Sequence, residues 1–260
     1  MTDPGDTAAV TDVTERAVWV RAAARNNAEW CEAVCRAHGL RGDFGDSAWA
    51  SPRRTPPLYP DAVTLTDRVS TSAGLLDRID TASPGCSVKD SFACLDLTPA
   101  GFEVLFEAQW IHRPAHVPAP TPSVPPATHI TWDVITSPGD LPAWAAAWGA
   151  EAGGCGPFRP ELLADDATRF LRARSADGRV LAGAVATLSR DVVGLSNVFT
   201  ASEATAHGLD SRNSWAGCLS AVAVRWPGLP VVGYESGADL EAAVASGFRP
   251  VGPLRVWWRR

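Results

Sequence analysis

Tyr234 and Glu235 stand side by side where the apolar run LPVV (residues 229–232) gives way to Ser236 and Gly237. A carboxylate at the carboxyl end of a strand lies where ligands collect in open α/β sheets. It can serve as a base directly or through water, and a neighbouring phenol can act as an acid. Ser196 and Asn197 interrupt the otherwise apolar LSNVFT (195–200). Strand alternation turns one of the two to each face, and Asn197 is set either to hold a polar group of a substrate or to satisfy a bulge in the strand. Lys89, the sole lysine of the chain, is followed by Asp90 inside CSVKDSFACL (86–95). Their side chains face opposite sides, and one meets the less solvated face. Either the lysine binds an acidic group or, as the commoner arrangement, it blunts an exposed edge strand. Asn26 and Asn27 are poor helix formers in a helical segment and, with Trp30, are candidates to line a substrate cleft. Arg53 and Arg54, set among prolines, are a possible phosphate grip or a solvated loop. Cys31, Cys35 and His38 fall at i, i+4 and i+7, one face of a helix, but no fourth ligand is visible, so buried thiols and no metal are expected. His112 and His116 have Pro114 between them, which removes the helix that would align them.

These residues belong to a chain of 260, 46% hydrophobic and 20% charged, long enough to bury about 70–75% of its unfolded surface in one domain or two. With 23 basic against 29 acidic residues the net charge is −6. Basic residues pair only at Arg53/Arg54 and Arg259/Arg260, so no nucleic-acid partner is expected. The amino end, MTDPGDTAAVTD, has neither a basic nor an apolar leader region, and no apolar run approaches the roughly 20 residues of a membrane span, which implies a cytoplasmic protein without a membrane partner. Six cysteines are too few for a disulfide scaffold and read as reduced thiols. Eleven tryptophans are far above ordinary usage.

Six of the sixteen residues in 113–128 are proline, which favours extended polyproline geometry and marks a linker. The expected organisation is a disordered tail (1–12), a first unit (13–112), the linker (113–128) and a second unit (129–260). In the first unit, apolar spacing predicts one long helix ending at Gly39, a strand at 62–65 and a helix at 73–79. Two strands around TPAG (98–101) then read as an antiparallel hairpin. In the second unit the pattern predicts a strand at 129–137 and helices at 142–151 and 160–174. Strands follow after Asp177-Gly178 and at 192–200, a helix at 214–226, a strand at 229–236, a helix at 238–247 and a closing strand at 248–258. The fold class is α/β (α+β): a mixed sheet flanked by helices.

Over residues 129–258 this order resembles the GNAT acyltransferase superfamily. DGRVLAGAVATL (177–188) looks like the family's second strand with its entering turn. ADLEAAVASGFRPVG (238–252) looks like its penultimate helix with the Gly-Phe, Gly247-Phe248, that opens the next strand. Arg212-Asn213-Ser214-Trp215-Ala216-Gly217 is similar to the pyrophosphate loop Gln/Arg-x-x-Gly-x-Gly/Ala, in which backbone N–H groups at a helix start cradle phosphates. Trp215 stands at the central glycine, where an indole would block the cradle, and Ala243 stands where the family often has a tyrosine that protonates the departing thiolate. The first half resembles the back half of the same fold, so the resemblance implies two units in tandem, with GFEVLFEAQWIHR supplying a strand to the second. It also implies an acyl-CoA-dependent N-acyltransferase acting by direct transfer of an acyl group, acetyl being the first expectation, to a small-molecule or peptide amine. The alternative is a GNAT-like binding or regulatory protein that has lost the reaction. On this resemblance Glu235, Tyr234 and Asn197 are the catalytic candidates. Val198, Thr200, Arg212, Asn213, Ser214 and Gly217 would bind acetyl-CoA or another acyl-CoA. Asn26, Trp30 and Ser196 would meet the acceptor. A monomer or homodimer is expected.

Overall fold

The computed structural model describes residues 4–68, 72–121, 129–149 and 156–260. The first half contains α1 (Pro4–Ala37), β1 (Asp43–Phe44), β2 (Ala48–Ala50), β3 (Ala62–Thr64), α2 (Ser72–Leu76), β4 (Cys86–Asp90) and β5 (Glu103–Arg113). The second contains β6 (Thr131–Val134), α3 (Leu141–Trp148), β7 (Thr168–Arg174), β8 (Val180–Ser189), β9 (Val192–Thr200), α4 (Ser211–Arg225), β10 (Val231–Glu235), α5 (Gly237–Ala245) and β11 (Arg249–Arg259). Helix α1 starts at Pro4 and so takes in most of the segment expected to be disordered. Residues 122–128 of the proline-rich stretch lie outside the described residues.

The described strands form one mixed sheet in the order β1-β2-β3-β4-β11-β5-β10-β9-β8-β7-β6. Strand β5 lies between β10 and β11 and is antiparallel to both. Strand β11 in turn lies between β5 and β4. Each half therefore has a parallel pair, β3–β4 or β9–β10, followed by a strand from the other half and then its own last strand. This corrects the expected hairpin, because β4 and β5 are separated by β11. The connection between them is a folded loop rather than a tight turn. Asp90 accepts hydrogen bonds from the Phe92 and Leu95 amides (3.3 and 2.7 Å), and a 3-10 turn at Thr98–Ala100 ends on Gly101 with φ 79°.

Residues 160–174 are another correction, since only a 3-10 turn, Pro160–Ala164, precedes the strand β7. The polar pair Asp165-Asp166 ends the turn, and the arginines beyond it find their partners on the neighbouring strand. Arg172 pairs in register with Asp133 of β6 and its Nε donates to that carboxylate at 2.6 Å. It also donates to Asp140 at 3.0 Å. Such cross-strand pairs hold a ladder as i,i+4 pairs hold a helix.

Helix α1 packs on one face of the sheet and contacts strands of both halves, β3, β5, β8, β9, β10 and β11. Its buried stripe includes Val20, Ala23, Ala24, Cys31, Val34 and Cys35, spaced at helical periodicity. The two thiols are core residues, burial pushes the Cys31 pKa up to about 11 and the Cys35 pKa up to about 12, and His38 Nε2 lies 2.9 Å from the Pro157 carbonyl oxygen. Among the described residues no group of three or more His, Cys, Asp or Glu is placed to hold a metal, and no helix is long and apolar enough to cross a membrane. Beside α1, Trp144 of α3 is fully buried against Phe158, Phe170 and Phe199 and donates its indole N–H to the Leu171 carbonyl at 2.8 Å. Helices α4 and α5 cover the opposite face through Trp215, Leu219, Val222 and Ala243, packed with Val193, Leu195 and Val231 of the sheet.

Candidate active site where two parallel strands part

Strands β9 and β10 are paired at Val231↔Val193 and Val232↔Gly194 and no further. Beyond those rungs β10 stays on β5 through Glu235↔Gln109, while β9 follows β8. On β9 the register slips by one residue between Val185↔Ser196 and Gly183↔Phe199. Asn197 sits in this bulge with φ 53°, a left-handed conformation that asparagine tolerates better than most residues. Two polar breaks in apolar strands, Ser196-Asn197 and Tyr234-Glu235, thus border one opening in the middle of the sheet.

Alternation along β10 sends its last two side chains to opposite faces. Val232 and Tyr234 belong to the cluster under α1, Val231 to the cluster under α4 and α5. Glu235 is therefore on the α4/α5 side, beside the first turn of α5. Burial raises its pKa from 4.5 to about 8, and the nearby Asp239 carboxylate adds to the rise, so at neutral pH it is a carboxylic acid rather than a carboxylate.

On the α1 side, Tyr234 stacks edge-on with Trp110 at 5.6 Å, and the Lys89 Nζ lies 4.1 Å from the centre of its ring. Lys89 is 4% exposed and donates to Asn27 Oδ1 at 2.8 Å. The edge-strand expectation is overturned, because β4 lies inside the sheet between β3 and β11. Asp90 faces the other way and is spent on the loop amides described above. Tyr59, the second of the chain's two tyrosines, comes from the proline-rich loop 54–60. Its phenol is buried beside Asn197 and Trp30, and neither it nor Asn197 Oδ1 makes a well-formed hydrogen bond. Burial, with Cys31 and Tyr234 nearby, pushes the Tyr59 pKa well above its ordinary value, so the hydroxyl keeps its proton. Tyr59 and Tyr234 both line a cavity of about 490 Å3 on this face. Nothing local in the sequence marks Tyr59; the rarity of tyrosine in this chain was the one available signal.

The other expected site residues divide. Asn26 clamps α1 to β8 and, with Trp30, lines a cavity of about 280 Å3. It donates to the Thr187 carbonyl at 2.9 Å and accepts from the Thr187 hydroxyl at 3.2 Å, and a Cβ on Gly194 would lie 1.7 Å from its Oδ1. Trp30 is a core residue, 6.1 Å from the Tyr59 ring and 6.4 Å from Phe170. Arg54 grips the buried Asp61 carboxylate and the Asp80 and Ser83 carbonyls, which leaves no phosphate grip there. Thr200 donates to the Ser214 hydroxyl at 2.8 Å, and Ser214 donates to the Asp210 carbonyl at 2.9 Å. Together these tie β9 to the start of α4. Ser196 and Val198 are half-buried on β9, and Arg212 is exposed.

At the first turn of α4 the expected obstruction is absent and a different one is present. Trp215 points into the core, 5.2 Å from Phe248, and shares its cluster with Ala243. The turn is capped instead by Asp210, whose carboxylate accepts from the Asn213 amide at 2.8 Å. A carboxylate there satisfies an N-terminal amide and repels phosphate. Asp210, three residues before that amide, is a helix-start signal that reading the segment as a polar loop passed over. Gly217 is a glycine for packing, since a Cβ there would lie 2.0 Å from the Trp132 indole. For an acyl-CoA the fit therefore divides: the parted strands present polar groups, Asn197 and Glu235, to an acyl-thioester arm, and the α4 turn is not a phosphate cradle.

Among solved structures, a GCN5-related N-acetyltransferase from Kribbella flavida aligns with 91% of this chain and 95% of its own at a TM-score of 0.61 and 17% identity. The chain has the GNAT fold. Within that fold the parting of β9 and β10 has β5 of the first half beside it. A GCN5-related N-acetyltransferase from Sphaerobacter thermophilus is also similar (TM-score 0.51, 13% identity, 84% of this chain and 81% of that one). So is a tandem GNAT protein from the clavulanic acid biosynthesis pathway (TM-score 0.52, 14% identity, 82% and 78%). No family model matches the sequence, and no curated protein matches it.

Proposed function

We propose that the protein is an acyl-CoA-dependent N-acyltransferase built from two GNAT-like units, 13–112 and 129–260, with its reaction centre at the opening between β9 and β10. The observation that supports this most is the opening itself: a bulged strand carrying Asn197, the half-buried Glu235 on one side and a cavity behind Tyr234 on the other. An acyl-thioester bound there supplies an activated carbonyl, and an amine reaches it from the cavity. Glu235 lies on the face of α5, where Ala243 leaves no phenol, and its proton goes to the departing sulfur as the C–N bond forms and the C–S bond breaks. The proton lost by the amine passes to water. Tyr234 holds the acceptor against the opening, and Asn197 presents a polar group at the bulge.

A binding protein without the reaction is the second reading, favoured by Asp210 and by Trp132 against Gly217. A thermal shift separates the two. Acetyl-CoA at 100 times its Kd stabilises by about 2.7 kcal/mol, so a rise in melting temperature is expected, accompanied by acylation of an amine. No shift with acetyl-CoA or a longer acyl-CoA contradicts the enzyme reading.

A further inference from the structure

The cavity behind Tyr234 carries positive charge with nothing to balance it. Lys89 spends one N–H on Asn27 and turns another part of its ammonium to the Tyr234 ring, and no described carboxylate lies within 4.0 Å of it. Two further polar residues line the same space: Arg54, whose guanidinium is already paired with Asp61, and Tyr59, whose hydroxyl is buried beside Asn197 and Trp30. A buried cation without a counter-charge is costly. An anion entering the cavity supplies the counter-charge that Lys89 lacks.

Apart from Thr55 and Ser87 the remaining walls are apolar. Pro56, Pro57 and Pro60 form the roof with Leu58, while Phe106 and Trp258 form the far side. Leu58 is 79% exposed and Phe106 39% exposed, so an apolar surface continues out of the mouth, more than isolated surface residues require. A volume of about 490 Å3 suits a small molecule with a ring or branched chain.

We propose that this cavity binds a carboxylate-bearing ligand with an apolar body, its carboxylate on Lys89 and its body against Phe106, Trp258 and the proline roof. Resting on the acyltransfer reading, the acceptor is an α-amino acid with a large apolar side chain. Its carboxylate and amine are joined to one carbon, so anchoring the first on Lys89 places the second beside Tyr234.

Isothermal titration with 3-phenylpropionate and its neutral isostere 3-phenylpropionamide tests the ligand class on the whole protein. The acid is expected to bind at least tenfold tighter than the amide, and Lys89→Met to abolish that preference. Phe106→Ala, at a part-exposed wall residue, is expected to weaken acid and amide alike and keeps the test decisive if Lys89→Met does not fold. Equal binding of acid and amide to the wild type, an acid preference that survives in folded Lys89→Met, or no effect of Phe106→Ala would each overturn the proposal. L-phenylalanine with acetyl-CoA, read by mass spectrometry, separates the two levels. Lys89-dependent binding of the acid without acylation of phenylalanine upholds the ligand class and rejects the acyltransferase reading. Acylation of phenylalanine without any acid preference does the reverse.

Discussion

Replacing Glu235 with glutamine lowers acyl transfer about a hundredfold at pH 7 and makes the protein more stable at pH 9. Both effects have one cause. The side chain is half-buried beside Asp239, and its partial desolvation raises its pKa from 4.5 to about 8, so the native state holds the proton more tightly than the unfolded chain. Its contribution to stability is fully present below pH 4.5 and is lost as the pH rises through about 8, where a charge must be carried in the fold. Glutamine carries no charge at any pH, so the variant gains on the order of 1–3 kcal/mol at pH 9. As an acid, wild-type Glu235 is effective only while protonated. The ratio of wild-type to variant rate cancels the acceptor's own ionisation, so it should fall toward one between pH 7 and pH 10. A ratio that grows with pH would mean that Glu235 works as a base.

Asp61→Ala should destabilise the protein by about 3–5 kcal/mol, read as a lower urea midpoint. Asp61 is fully buried and forms an ion pair with Arg54. Its carboxylate also accepts from the Thr55 amide at 3.0 Å and from the Ser87 amide at 2.9 Å. Removing it leaves two buried amides without an acceptor and a part-exposed guanidinium without its counter-charge. The same bonds fix the loop that carries Tyr59 and roofs the cavity, so ligand binding should weaken in any of the variant that remains folded. A loss below about 1 kcal/mol would show that water replaces the carboxylate and that the roof does not depend on it.

Local pattern reached as far as local forces did. The periodicity of α1, with Gly39 past its end, and the apolar runs of β9, β10 and β11 marked elements that the structure contains, because each is shaped by burial of its own face. The same pattern failed at residues 168–174, where the Arg172 and Arg174 partners lie on β6 and cannot be seen from within the segment. It failed again at β4 and β5, which look like a hairpin until β11, well over a hundred residues later, enters between them. Lys89 was misjudged for that reason, since an edge strand and an inner strand differ only in a distant neighbour. The opening was partly legible, as Asn197 and Glu235 stood out as polar breaks in apolar strands. Their division of labour was not, because it depends on which helix covers each face. Trp215 showed the opposite failure: a motif position predicted an obstruction, and the side chain turned into the core.

The central claim is that an acyl-thioester occupies the opening between β9 and β10, and amide hydrogen exchange with saturating acetyl-CoA tests it at the residues concerned. Slower exchange is predicted at Leu195–Thr200 and Gly233–Glu235, with little change at Arg212–Gly217. Unchanged exchange on both strands while acetyl-CoA is bound, or slowing confined to the start of α4, would contradict it.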